Sequence, residues 1–243
     1  MDDRDDQPPP QPQAQRFRRL YGRAKGKPLR PQQAERIERL LPVVAVPDDG
    51  PVTSAALFGD DRPLHFEIGF GGGEHLAARA DLLPDHGFIG AEPFLNGVAS
   101  TLAHLEPTAD RPALANVRLR HGDAIEVLER VPDGALSFVY LLHPDPWPKA
   151  RHAKRRMMND GPLELIGAKL KPGGEFRFSS DHPIYVEHAL MVMRRHRDAF
   201  AWAIDDAAQM LERPGGWSPT RYEAKARRMG HEIWYFRYRR RPF

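Results

Sequence analysis

Residues 64–73 read Leu64-His65-Phe66-Glu67-Ile68-Gly69-Phe70-Gly71-Gly72-Gly73, an apolar run that ends in four glycines within five positions. Glu74 to Ala80 then carry residues that favour a helix. Strand, glycine turn and helix in this order let a backbone approach a nucleotide-like ligand closely. An isolated glycine cluster can also be no more than a tight turn at a strand end. The spacing of the glycines therefore decides what the turn can serve.

A dinucleotide site needs G-x-G-x-x-G, with a pyrophosphate seated on the helix N-terminus. Gly69 and Gly71 fit that pattern, but its third position falls on Glu74, and a carboxylate there repels a pyrophosphate. The residues present are Glu67-x-Gly69-x-Gly71-x-Gly73. This resembles motif I of S-adenosylmethionine (SAM) methyltransferases. SAM has no phosphate and carries a positive sulfonium, so nearby carboxylates are favourable.

From residue 64 the pattern alternates between strand and helix. Strands are expected at about 64–68, 87–91, 116–120, 135–142 and 175–179, with helices at 74–83, 94–105, 124–130, 160–170 and 184–196. Ala135 to Leu142 is a continuous apolar run, the signature of a parallel strand buried on both faces. Residues 199–204 and 231–239 close the sheet. Repeated βαβ units predict a mostly parallel sheet with helices on both faces. Ahead of it lie a helix at 31–41, stopped by Pro42, and a short one near Ser54–Phe58. Residues 1–15 hold almost nothing apolar and read as disordered; 16–30 read as a basic arm. The expected division is an arm over 1–30 and one domain over 31–243.

The 243 residues include no cysteine, which removes disulfides, thiolate catalysis and cysteine metal sites. That argues against carbon-5 pyrimidine methylation, which needs a covalent thiolate. The scattered histidines suggest no metal. The start of the chain lacks signal-peptide character and no run spans a membrane, so the expectation is a cytoplasmic protein. Lys plus Arg exceed Asp plus Glu by 36 to 33, yet the cations are clustered. Residues 16–30 hold seven cations and no acid; 149–156 hold Lys149, Arg151, Lys154, Arg155 and Arg156 and no acid. Such clusters point to an anionic partner met at defined places, or to solvated surface.

Ligands of open α/β sheets bind beyond the carboxyl ends of the strands. Acids stand at those ends here: Glu67, Glu92, Asp123, Asp145 and Asp181. Glu92 lies 19 positions after Gly73, about where one carboxylate reaches a ribose diol. In Pro144-Asp145-Pro146-Trp147-Pro148, three prolines stiffen a loop that presents one acid and one aromatic ring ahead of the basic run. The ring can stack on a base and the cations can hold phosphate.

Phe66–Gly73, residues 144–156 and Thr220-Arg221-Tyr222-Glu223 together resemble the bacterial tRNA (guanine-N7-)-methyltransferase family, TrmB-like, over about residues 60–240. The resemblance implies a Rossmann-like class I fold with a seven-stranded sheet, SAM as cofactor, and tRNA methylated at guanine 46 of the variable loop. It also implies Glu67, Gly69, Gly71, Gly73, Glu92, Asp123 and Asp145 around SAM, with Asp145 catalytic. Lys149, Asp181 and Thr220 to Glu223 fall on the guanosine side. Arg151, Lys154, Arg155 and Arg156 are expected on RNA. His143 stands where the family often has Phe, and its role is left open. Partners are expected to be tRNA only, without membrane or metal, and the assembly a monomer or homodimer. The competing readings are a methyltransferase of another RNA or a small molecule, and a non-catalytic RNA-binding protein. The basic loop counts against a small substrate. The intact Glu67, glycines and Asp145 count against a non-catalytic chain.

Overall fold

β1 (Leu64–Ile68) is buried along its whole length and pairs in parallel with β2 (Gly87–Glu92) on one side and β4 (Leu136–Leu142) on the other. β2 pairs in parallel with β3 (Val117–His121), and β4 with β5 (Leu170–Ser180). β7 (Trp234–Arg240) runs antiparallel to β5, and β6 (Phe200–Trp202) antiparallel to β7. In this computed structural model, which describes residues 26–109 and 113–242, the sheet order is β3-β2-β1-β4-β5-β7-β6. Chain order reverses between β1 and β4, the switch point where such sheets open a crevice. The mostly parallel seven-stranded sheet agrees with the sequence reading.

The described helices are α1 (Pro31–Val44), α2 (Ser54–Phe58), α3 (Glu74–Leu82), α4 (Leu95–Leu105), α5 (Ala124–Arg130), α6 (Asp160–Lys169), α7 (Pro183–Arg195) and α8 (Arg221–Arg228). One core joins Leu64, Phe66 and Ile68 to Leu128, Leu163, Ile166 and Val192 of α5, α6 and α7. A second joins Phe88 and Leu119 to Leu76, Val98 and Leu102 of α3 and α4, under Ile37, Leu40 and Leu41 of α1. Helices thus cover both faces. A third cluster seats Trp217 and Ala226 on Tyr140, Leu142 and Tyr235.

The remaining two residues of β1 are polar, and burial obliges each to find a partner. His65 Nδ1 lies 3.0 Å from the Tyr140 hydroxyl and Nε2 lies 2.8 Å from His86 Nδ1. Its ring stacks on Phe138 at 4.6 Å. The Glu67 carboxylate accepts from His75 Nδ1 at 2.7 Å.

Three elements depart from expectation. α1 runs through Pro42 to Val44. The proline sits in the last turn and its helix face packs on α4, so one lost hydrogen bond does not end it. β5 begins at Leu170 instead of 175, because Lys171–Gly174 form an irregularity inside the strand. Gly173 takes φ +78°, and a side chain at Gly174 would meet the Leu136 and Ser137 carbonyls at 3.1 Å. α8 has no counterpart in the sequence reading; its buried residues are only Glu223 and Ala226, too few for an apolar stripe. Readings for residues 1–25 lie outside the described residues. At the described end of the arm, the Lys27 carbonyl accepts from Asn96 Nδ2 of α4 at 3.0 Å.

Burial, aided by the nearby His86, Arg79 and Arg177 charges, pushes the His65 pKa down to about 2. An unfolded histidine takes its proton near 6.5. The unfolded state therefore binds more protons below that value, and stability falls as pH drops through about 6.5. We expect the urea midpoint to fall between pH 7.5 and pH 5. His65→Phe, which keeps the ring stack, should lose less over that interval. The same pH dependence in both proteins would contradict the assignment.

Candidate functional site

The glycine turn leaves β1 with Gly69, Gly71 and Gly73 at φ +68°, +57° and +79°, a region costly to side chains. Gly69 N–H donates to the Ala91 carbonyl at 2.8 Å and Gly73 N–H to Phe70 at 2.9 Å. A Cβ at Gly73 would meet Thr101 of α4 at 2.3 Å, whereas one at Gly69 meets nothing within 4 Å. The turn is therefore gripped from below by α4 and open above. Gly97 belongs to the same grip: a Cβ there would meet the Gly71 carbonyl oxygen at 2.3 Å. Sequence reading passed over Gly97. The signal was a glycine inside an apolar helix, which costs about 1 kcal/mol unless packing requires it.

Beyond the turn lies a cleft of about 230 Å³, walled by Gly69, Gly71, Glu92, Asp123, Asp145, Trp147 and Tyr222 among others. Glu92 is buried at the end of β2; its Oε2 accepts Gly71 N–H and its Oε1 accepts Phe94 N–H, both at 2.8 Å. Burial, with the Asp145 and Glu67 charges, raises its pKa against those two hydrogen bonds. Asp123 caps α5 by accepting Ile125 N–H at 2.9 Å, and burial raises its pKa too. Asp145 sits on the rim, where the cleft walls desolvate its carboxyl and raise it likewise.

Two expected cofactor residues do not line the cleft, Gly73 at the base of the turn and Glu67. Glu67 lies beneath the turn on His75, whose ring packs edge-on to Tyr140 and Trp217 at 4.8 and 6.0 Å.

The proline loop is held in an unusual shape. His143 and Trp147 adopt φ +48° and +42°, a strained region for residues with side chains. Arg156 braces it: Nε donates to the Pro146 carbonyl and Nη2 to the Trp147 carbonyl, both at 2.9 Å. Only 5% of Arg156 is exposed. Its guanidinium braces the loop from within. Arg155 lies over the Trp147 ring at 4.8 Å. Lys149, Arg151 and Lys154 are exposed.

The segment 220–223 divides its tasks. Tyr222 lines the cleft, with its ring 3.0 Å from where a Gly71 Cβ would stand. Arg221 donates to Glu74 Oε1 at 2.6 Å and Ser100 Oγ at 2.9 Å, tying α8 to α3 and α4. Thr220 caps α8 by accepting Glu223 N–H at 3.1 Å. Glu223 is buried and accepts from Arg227 at 3.2 Å. Asp181 follows β5, beside the strand end that carries His143, and accepts from His231 Nδ1 at 2.9 Å.

Three carboxylates around an open glycine turn offer acceptors and negative charge. SAM presents amino and hydroxyl donors and a sulfonium, so the donor set fits it; a pyrophosphate would be repelled. Sheet order and site together define a Rossmann-like, class I SAM-dependent methyltransferase. The chain aligns with the 16S rRNA methyltransferase KamB at TM-score 0.52 and 14% identity, covering 82% of this chain and 99% of that one, a likeness of fold alone. Residues 61–236 match a family described as "Putative methyltransferase". The chain is 72% identical to the tRNA (guanine-N(7)-)-methyltransferase of Sphingopyxis alaskensis over 224 residues, 92% of this chain and 94% of that protein. It is 67% identical to the enzyme of the same name from Novosphingobium aromaticivorans, with the same coverage. The chain belongs to the tRNA (guanine-N(7)-)-methyltransferase family.

Gly97→Ala should push the Gly71 carbonyl out of place. We expect a loss of about 1–3 kcal/mol in denaturant unfolding, together with weaker SAM binding by calorimetry. Wild-type SAM affinity in this variant would show that α4 does not shape the turn.

Proposed function

We propose that this chain moves a methyl group from SAM to N7 of guanine 46 in the variable loop of tRNA, in the cytoplasm, as a monomer or homodimer. One observation carries the reading: the acid-lined glycine turn and Pro144, Asp145 and Trp147 of the proline loop line one cleft. Among the described residues no helix is long and apolar enough to cross a membrane, and no cluster is arranged to hold a metal ion.

Bound SAM supplies an electrophilic methyl on a sulfonium. Glu92 and Asp123 would take the ribose hydroxyls and the adenine amino group as acceptors. Guanine N7 already carries a lone pair, so no residue need remove a proton to make the nucleophile. Positive charge then grows on the purine, and Asp145 on the rim would stabilise it as a carboxylate. Positioning by the braced loop supplies much of the remaining acceleration. The exposed Arg151 and Lys154 would hold tRNA phosphates, with Lys149 on the guanosine side.

Asp145→Ala should lower kcat by about 100-fold or more with an unchanged far-UV spectrum, measured by labelled methyl incorporation into unmodified tRNA. Near-normal turnover would remove Asp145 from the chemistry. Because burial raises the Asp145 pKa, the acid limb of wild-type activity should lie above the ordinary aspartate value.

The basic loop makes a separate prediction. Arg151→Ala and Lys154→Ala should each reduce the salt slope of tRNA binding by about one. Arg156→Ala should lower activity and leave that slope unchanged. A shallower slope for Arg156→Ala would restore it as a phosphate contact.

A further inference from the structure

His143 directly follows β4 and Asp181 directly follows β5, and the two ends are joined by His143 N–H donating to the Ser179 carbonyl at 2.9 Å. Asp181 Oδ2 accepts from His231 Nδ1 at 2.9 Å, while Oδ1 lies 3.6 Å from His143 Nδ1, just beyond a hydrogen bond. The His143 side chain is 4% exposed, and Nδ1 has no hydrogen-bond partner. A buried, unpaired ring nitrogen is costly, and the φ of +48° adds backbone strain on the same residue. Both costs fall on a residue of the cleft wall, and a shift of a few tenths of an ångström would give Nδ1–H its partner on Asp181.

We infer that His143 is a positioning residue which, with His231, aims the Asp181 carboxylate at the N1–H and N2–H edge of the guanine; this rests on the reading that a tRNA guanine is the acceptor. The two oxygens of a carboxylate match two adjacent donors. Adenine, whose N7 is equally nucleophilic in kind, presents a lone pair at N1, which a carboxylate repels. As the N7–methyl bond forms, the purine gains positive charge and its N1–H becomes more acidic. The Asp181 hydrogen bonds then strengthen in the transition state, which is what lowers a barrier. One histidine on each oxygen leaves one lone-pair direction per oxygen for the base.

The charges support this arrangement. Burial opposes ionisation of Asp181, but His231 and His143 outweigh it and bring its pKa down. Burial lowers the His143 pKa, with Asp181 and Glu223 opposing and Arg227 adding to the shift. At neutral pH a neutral imidazole therefore faces an ionised acid.

Three variants separate the ring from the backbone. His143→Gly relieves the left-handed strain and removes the donor. His143→Asn tolerates that backbone and puts an amide N–H near the Nδ1 position. Asp181→Asn removes the charge. We expect His143→Gly to lower kcat/KM for tRNA by about tenfold, and His143→Asn to recover most of it. Added to Asp181→Asn, His143→Gly should cost little more. Wild-type kcat/KM in His143→Gly, no recovery in His143→Asn, or full additivity in the double variant would overturn the inference. Wild-type protein that forms no 7-methylguanosine would overturn the acceptor reading as well, which distinguishes the two failures.

Discussion

The Glu92 carboxylate bridges two backbone N–H groups, Gly71 in the turn after β1 and Phe94 at the start of α4. Through it, the end of one strand fixes the shape of the loop that leaves its neighbour. α4 can then approach until Gly97 touches the Gly71 carbonyl and Thr101 fills the space under Gly73. Without Glu92 the buried Gly71 N–H would lose its acceptor, at about 1–3 kcal/mol. The same residue lines the cleft. One side chain thus shapes the turn that borders the cleft.

The cost of this arrangement is electrostatic. Glu92 is pushed toward protonation by burial and by the Asp145 and Glu67 charges, and Asp123 and Asp145 by burial. A site that strains its own carboxylates in this way stores a preference for a cation. SAM relieves that strain, and an anionic dinucleotide would add to it. The loop that carries Asp145 continues into the exposed cations Lys149, Arg151 and Lys154.

The sequence made the sheet and the turn legible because their signals are one-dimensional. Glycine spacing separated SAM from a dinucleotide, and apolar runs located β1 to β4 to within about one residue. α8 was not legible, since its helix is polar on nearly every face and held by Arg221 on Glu74 and Ser100, contacts 147 and 121 residues away in sequence. The basic run 149–156 was read as one surface, but Arg156 turns inward onto carbonyls that precede it by ten and nine residues. Glu67 fits the motif by spacing, yet its partner is His75, found only once α3 folds back on the strand. Residues whose roles depend on long-range contacts escaped the reading, and those whose roles depend on local spacing did not.

The central claim is that one cleft holds both the methyl donor and a guanine of tRNA. Incubation of the purified chain with labelled SAM and unmodified tRNA, followed by cleavage at alkylated bases, tests it directly. We expect a single 7-methylguanosine at position 46 of the variable loop. Label on another base, on another nucleobase atom, or no transfer to tRNA would contradict it.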